Sequence, residues 1–307
     1  MVGRHLGGLL KSWLRAFRLK FLISSVVAVT NGLALAIWKE NEISFFYAGL
    51  TFVGVICLHA SIDLLNDYWD YRRGIDTETS RTRYSGGTGV LPDNLLEPSS
   101  VYVMGLLLLF IGALVGTYLI IMRGVAVAFI LVFAILAVYF YSTDIVNLGL
   151  GEFFVAIKGA LIVIGTYYVQ TASFDLSAIY IGVIIGILSA IVLIVNSFPD
   201  FDADRLSGRR TLVILLGKPR TARVLTALVL CPYILIVGGI SLGYLKMYSF
   251  ISLVSLPMAI NVIKLKNTFY LRRDKLDSVM RTTLLYSRVT SVALALSILL
   301  YPLMASK

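Results

Sequence analysis

The stretch Asn66-Asp67-Tyr68-Trp69-Asp70-Tyr71-Arg72-Arg73-Gly74-Ile75-Asp76 follows directly on a long apolar run. On a helix, Asp63, Asn66, Asp67 and Asp70 recur at steps of three and four, which places their side chains on one face. Carboxylates stacked in this way repel one another, and a hard divalent cation such as Mg2+, which prefers oxygen ligands, is the natural counter-charge. The pattern returns far downstream, where Asn196, Asp200 and Asp204 sit at steps of four at the end of another apolar run. Two oxygen-rich stripes predict two metal ions, or one substrate held from both sides. Asp202 alternates out of its stripe and is expected in solvent, while Pro199 should kink or unwind the helix and free carbonyls beside the site.

The apolar runs set the fold class. The chain has 307 residues, 58% of them hydrophobic and 14% charged, and its mean hydropathy of +0.88 lies far outside the range of soluble domains. Nine segments are long enough to cross a bilayer as helices, at about 18–38, 45–66, 100–121, 124–141, 152–171, 178–198, 222–243, 247–264 and 284–304. The prediction is an all-α integral membrane protein: a single domain over 1–307, a bundle of nine transmembrane helices capped by the loops after helices two, six and four. Of the 27 Lys and Arg, 22 fall on one side, in the N-terminal stretch and in the second-to-third, sixth-to-seventh and eighth-to-ninth loops with their flanking helix ends. By the positive-inside rule the N-terminus and the cap are cytoplasmic and the C-terminus lies outside, in a cell (plasma or inner) membrane. Topology thus accounts for the net charge of +10, and no nucleic-acid partner is implied. No charged leader with a short apolar core and a small-residue cleavage site is found, so the first residues are expected to be mature sequence. Cys57 and Cys231, without bridge or zinc spacing, read as buried small hydrophobes.

Both acidic stripes end at the cytoplasmic side, and the loops that follow them, 67–99 and 199–221, are long, polar and rich in Gly, Arg and Asp. Long loops in a compact bundle are usually functional, and these are placed to cover a site between the helices. Arg81, Arg83, Arg209 and Arg210 are in one reading only topology determinants; beside carboxylates that hold Mg2+, they are also the forks that a diphosphate needs. Gly86, Gly87 and Gly89 let backbone come close to a phosphate. His59 and Asp63 carry the first stripe back into the membrane, where ionisable groups face a cavity or a partner, although a histidine there can do no more than hydrogen-bond its neighbours. Lys158, well inside helix five, must snorkel, pair with a carboxylate or face a polar cavity. Tyr139 and Tyr141 are candidates to line a cavity and hold an allylic cation against their rings, with packing the ordinary alternative for each.

A cavity in the membrane, two sets of aspartates for Mg2+ and arginines for phosphate together imply a lipid-soluble substrate that carries a diphosphate, of which polyprenyl diphosphates are the type. The residues themselves resemble the UbiA superfamily of intramembrane prenyltransferases, with an N-D-x-x-D motif after helix two and a D-x-x-x-D motif after helix six. Within it they are closest to the menaquinone branch, the 1,4-dihydroxy-2-naphthoate polyprenyltransferases. Asn66 to Asp76 resembles that branch's first motif, and Gly208-Arg209-Arg210-Thr211-Leu212 with Leu216-Gly217 its second. Leu150-Gly151-Glu152, the stretch Gly165 to Thr171, and Arg18-Leu19-Lys20 at the start of helix one are similar to it as well; the resemblance runs from about residue 15 to residue 225.

The resemblance implies a Mg2+-dependent transfer of a polyprenyl group to a small aromatic or lipid acceptor, within membrane lipid, through an allylic carbocation. It assigns catalysis to Asp67, Asp70, Asp200 and Asp204, and two Mg2+ ions to those four with Asn66. Diphosphate contacts fall to Lys20, Arg81, Arg83, Lys158, Asn196, Arg209 and Arg210. Arg18, His59, Asp63, Asp76, Tyr139 and Tyr141 are expected to line the cavity. There are departures: Gly74 stands where the superfamily has a third aspartate, Pro199 where the branch has arginine, Asp63 for a common asparagine, and Lys158 at an apolar position, the last two as a compensating pair. A glycerol-phosphate acceptor, as in archaeal ether lipids, is the alternative within the fold, but the stretch 77–83 lacks the prolines of those enzymes. A cation-coupled transporter is the alternative outside it; transport sites sit near the bilayer midplane, whereas these acids gather at one face.

Overall fold

A computed structural model of the chain describes residues 2–78, 81, 82, 84–265 and 273–305; Arg83 lies outside them. The helices in chain order begin with α1 (Val2–Ala16), α2 (Leu19–Glu40), α3 (Phe45–Arg72) and the single turn α4 (Ile75–Glu78). There follow α5 (Pro98–Arg123), α6 (Ala126–Phe140) with a π-helical turn over Tyr141–Ile145, α7 (Gly151–Thr171) and α8 (Leu176–Asn196). The chain ends through α9 (Phe201–Leu206), α10 (Leu212–Leu216), α11 (Lys218–Ser241), a 3-10 stretch over Met247–Ser255, α12 (Leu256–Leu265) and α13 (Arg273–Ala305).

Among the described residues, nine helical segments are long and apolar enough to cross a membrane, and each coincides with one expected from the sequence. Local chemistry fixes where they start. Ser44 caps α3 by accepting from the Tyr47 N–H at 3.4 Å, Asp175 caps α8 by accepting from the Ser177 N–H at 2.6 Å, and Pro98 opens α5 where no N–H is needed. The outer faces are apolar, with Phe45 83%, Phe129 76% and Ile121 73% exposed, as lipid-facing positions should be. Inside, one core joins α2, α7, α8, α11 and α13 through Leu35, Val163, Leu188, Leu225 and Tyr286. Small residues let α7 and α8 meet almost backbone to backbone: a Cβ at Gly159 would stand 3.0 Å from the Gly186 Cα.

Three boundaries differ from expectation. α3 runs six residues past the predicted end of its span, so Asn66, Asp67 and Asp70 ride a continuous helix of roughly 42 Å. α13 starts eleven residues early, putting Asp277 on a helix instead of in a loop. α1 was not predicted at all. It is too polar for a span, and its signal is an amphipathic one, with Leu9, Leu10 and Leu14 exposed while Trp13, Ala16 and Phe17 pack against Leu64 and Leu91.

Candidate active site

At one end of the bundle, α2, α3, α7 and α8 enclose a cavity of about 240 Å3, closed by the segments that follow α3, α6 and α8. Tyr84 to Gly87 enter it from the first loop, Tyr141 and Val146 from the second, and Asp200, Asp204, Arg209 and Thr211 from the third. The loops are tied down. Arg73 Nη1 donates to the Ser142 carbonyl at 2.7 Å, and Glu152 Oε1 accepts from the Leu212 N–H at 2.8 Å. Gly87, at φ +71°, passes so close to Asp76 that a Cβ there would lie 2.6 Å from both carboxylate oxygens. The glycine run therefore admits backbone to a carboxylate.

The two acidic stripes meet across this cavity. Arg209 bridges them, pairing with Asp70 of α3 and, at 3.1 Å, with Asp204 of α9. Asn66 donates to Asp70 Oδ2 at 3.1 Å and to Ser142 Oγ at 2.9 Å. Asn66, Asp70, Asp76, Asn196, Asp200 and Asp204 all line the cavity. Asp67 does not; it is 2% exposed and turned aside onto Arg18 and the Thr88 hydroxyl. It stands within about 60° of Asp63 and Asp70 around the helix, so its partners Arg18 and Thr88 are what hold its carboxylate off the cavity.

Burial dominates the electrostatics. It pushes the Asp76 carboxyl up to about 8, with Asp70 and Asp67 adding to the shift, and Asp200 up to about 7, with Asp204 adding. Burial also raises Asp204, although Arg209 works against it. For Arg209 itself burial opposes the charge, and Asp70 and Asp204 outweigh it to hold the guanidinium above its usual range. Arg18 is held up in the same way by Asp67.

Whether these residues suit a hard cation can be judged from the donors. All are carboxylate or amide oxygens, and Asp200 Oδ1 is buried without a hydrogen-bond partner. Among the described residues no three His, Cys, Asp or Glu side chains converge on one point. Arg18 and Arg209 instead neutralise the carboxylates pairwise. The donor chemistry fits Mg2+, and Asp70, Asp200 and Asp204, which line one cavity without converging, are the residues that would hold it.

Deeper in the cavity lie His59 and Asp63 from α3 and Lys158 from α7. Ser25, His59, Ile62, Lys158 and Ile162 also border a second pocket of about 130 Å3, apolar and walled by α3, α5, α6 and α7.

Several expected positions need correction. Tyr139 is 45% exposed and packs edge-on against Phe140 outside the cavity; only Tyr141 lines it. Arg210 is exposed, next to Arg209 in the irregular segment between α9 and α10, and its backbone N–H donates to the Val146 carbonyl at 3.2 Å. Arg81 is spent on Asp93 at 2.7 Å, which it shares with Arg15 at 3.1 Å. Lys20 lies over the Tyr84 ring at 4.9 Å and does not line the cavity. Lys158 lines the floor, roughly 9 Å along α7 from Glu152, away from the diphosphate candidates with which it was grouped. It makes no ion pair with Asp63 within 4.0 Å. Asp202 is exposed, as its register implied. Sequence reasoning gave no role to Ser142, Thr88 or Thr211, which carry no signal of their own. Glu152 enters only within Leu150-Gly151-Glu152, by resemblance, and without a function.

Comparison with known proteins agrees with this picture. The sequence model of the UbiA prenyltransferase family matches residues 25–285. The chain is 26% identical over 247 residues to a Bacillus subtilis 1,4-dihydroxy-2-naphthoate octaprenyltransferase, covering 79% of this chain and 78% of that protein. Among solved structures, a UbiA homologue from Aeropyrum pernix superposes with a TM-score of 0.68 at 14% identity, over 89% of this chain and 97% of that one. A homologue from Archaeoglobus fulgidus bound to DMAPP and Mg2+ gives a TM-score of 0.55 at 13% identity, over 92% and 99%.

Proposed function

The chain belongs to the UbiA prenyltransferase family, and from that premise we propose that it moves a polyprenyl group from its diphosphate onto 1,4-dihydroxy-2-naphthoate, with Mg2+ required. The observation that carries this reading is the meeting of two acidic stripes, from α3 and from the segment after α8, across one cavity that shares its floor with an apolar pocket. The stripes and Arg209 suit a diphosphate; the pocket suits the isoprenoid chain; and the acceptor is that named for the Bacillus subtilis relative.

Asp70, Asp200 and Asp204, with Asn66 and Asn196 beside them, would hold the metal. Held there, Mg2+ would supply a positive charge against the departing diphosphate. Arg209 supplies a guanidinium fork for phosphate oxygens, already aimed by Asp70 and Asp204. The C–O bond breaks with its electron pair leaving on the diphosphate, and the allylic cation is attacked by the acceptor ring, which loses its carboxylate as CO2. Tyr141 presents its ring to the same space. The loop segments around Tyr84–Gly87 and Arg209–Thr211 exclude water that would quench the cation. The charge distribution supports a cytoplasmic N-terminus and active-site end, with the C-terminus outside, in the cell membrane.

The test is an assay of the purified protein in detergent with Mg2+, geranylgeranyl diphosphate and a panel of acceptors, read by mass spectrometry. A prenylated naphthoquinone that EDTA abolishes is the expected result. A prenylated glycerol phosphate would replace the acceptor, and no diphosphate release with any acceptor would overturn the reaction.

A further inference from the structure

The floor of the cavity holds charges that diphosphate binding does not use. Ser25 Oγ lies 2.7 Å from His59 Nδ1, which fixes the ring. His59 Nε2 is 3.9 Å from Asp63 Oδ2, too far for a hydrogen bond. That Asp63 oxygen is buried without a partner. Across from them, Lys158 projects from α7 into the same cavity with no carboxylate of a described residue within 4.0 Å. A lysine and an aspartate inside membrane spans are costly, and here the two share one cavity without an ion pair within 4.0 Å. The arrangement suits a ligand with an anionic group for Lys158 and a donor for Asp63.

Depth identifies that ligand. The reacting carbon of a prenyl diphosphate is one bond from the leaving oxygen, and an attacking ring must come within about 3–3.5 Å of it. The ring therefore lies just beneath the diphosphate, and Asp63 stands roughly 10 Å along α3 below Asp70, on the same cavity. The isoprenoid chain has its own space in the apolar pocket, on the far side of His59 and Lys158. Resting on the prenyl-transfer reading above, we propose that His59, Asp63 and Lys158 form the acceptor subsite. Its ligand is a hydroxylated aromatic carboxylate: Lys158 pairs with the carboxylate, and Asp63 accepts a hydrogen bond from a ring hydroxyl. Lys158 is then a determinant of acceptor choice and not a diphosphate ligand.

The experiment measures binding to the full chain in detergent, with Mg2+ and a non-ionising prenyl thiolodiphosphate present, using 1,4-dihydroxy-2-naphthoate under nitrogen and its methyl ester as probes. Wild type should bind the acid at least about tenfold more tightly than the ester, and Lys158→Met should remove that preference. Lys158→Met should weaken the acid by about tenfold or more while the thiolodiphosphate binds within about twofold of wild type. Lys158→Arg should restore most of the preference for the acid. A wild type that does not prefer the acid overturns the subsite without any variant having to fold. Unchanged acid affinity in Lys158→Met, or an equal loss of thiolodiphosphate affinity, overturns it as well. Because these are affinities, a wild type that holds both ligands yet gives no product with the true diphosphate would count against prenyl transfer and leave the subsite standing.

Discussion

The carboxylates of α3 ride an unbroken helix, whereas those after α8 sit on a chain that stops at Asn196, turns through 197–200 and restarts as α9. Pro199 makes the difference. It has no N–H for the Val195 carbonyl, and Phe198 donates there in its place at 3.4 Å. On the unbroken helix, Asp67 is turned off the cavity and consumed by Arg18 and Thr88. On the broken segment, Asn196, Asp200 and Asp204 all reach the cavity. Equal spacing in sequence thus delivers carboxylates differently, because a rigid helix spreads its side chains in arcs while a turn can gather them.

That contrast can be broken most severely at the residues that face one another. Asp70→Asn or Asp200→Asn should each lower kcat by roughly 10^2–10^3-fold, the scale of losing one preorganised electrostatic stabiliser, with the protein still monodisperse in detergent. Activity close to wild type in either variant would mean the stripes do not act on the reaction. Asp67→Ala should fail differently. It leaves the Arg18 charge buried without its partner, so stability should fall by about 2–3 kcal/mol, seen as a lower thermal midpoint in detergent. A catalytic defect without that shift would return Asp67 to the reacting groups.

Pro199→Ala asks whether the break itself matters. With an N–H restored, α8 can run on and carry Asp200 off its present position, and about a tenfold loss of kcat is expected from misplacement of this kind. Circular dichroism should show no loss of helix. The smallest effects belong to Arg81→Ala and Arg210→Ala. Both side chains are exposed and outside the cavity, and exposed charge pairs contribute little, so kcat/KM should stay within about twofold of wild type. A large loss at Arg210 would place that side chain over the site.

Much of this was legible in the sequence. Nine apolar runs of bilayer length could be little else, and the oxygen-rich stripes named six of the cavity's polar residues by periodicity alone. What periodicity could not supply was the choice among neighbours. Arg209 and Arg210 are adjacent in one motif, yet one bridges the stripes and the other is exposed, because they sit in an irregular segment between α9 and α10 where no helical or strand period applies. Tyr139 and Tyr141 separate because two residues of helix are about 200° of rotation, which puts them on opposite faces. α1 escaped because hydropathy windows tuned to spans average its two faces into nothing.

The central claim is that the two stripes grip one diphosphate between them, and a double-mutant cycle tests it most directly. The quantity is the Mg2+-dependent affinity for a non-ionising prenyl thiolodiphosphate in wild type, Asp70→Asn, Asp200→Asn and the double variant. If the stripes act as one site, the double variant binds no more than about threefold more weakly than the worse single variant. Losses that multiply across the two positions would mean two independent sites, and would contradict this account.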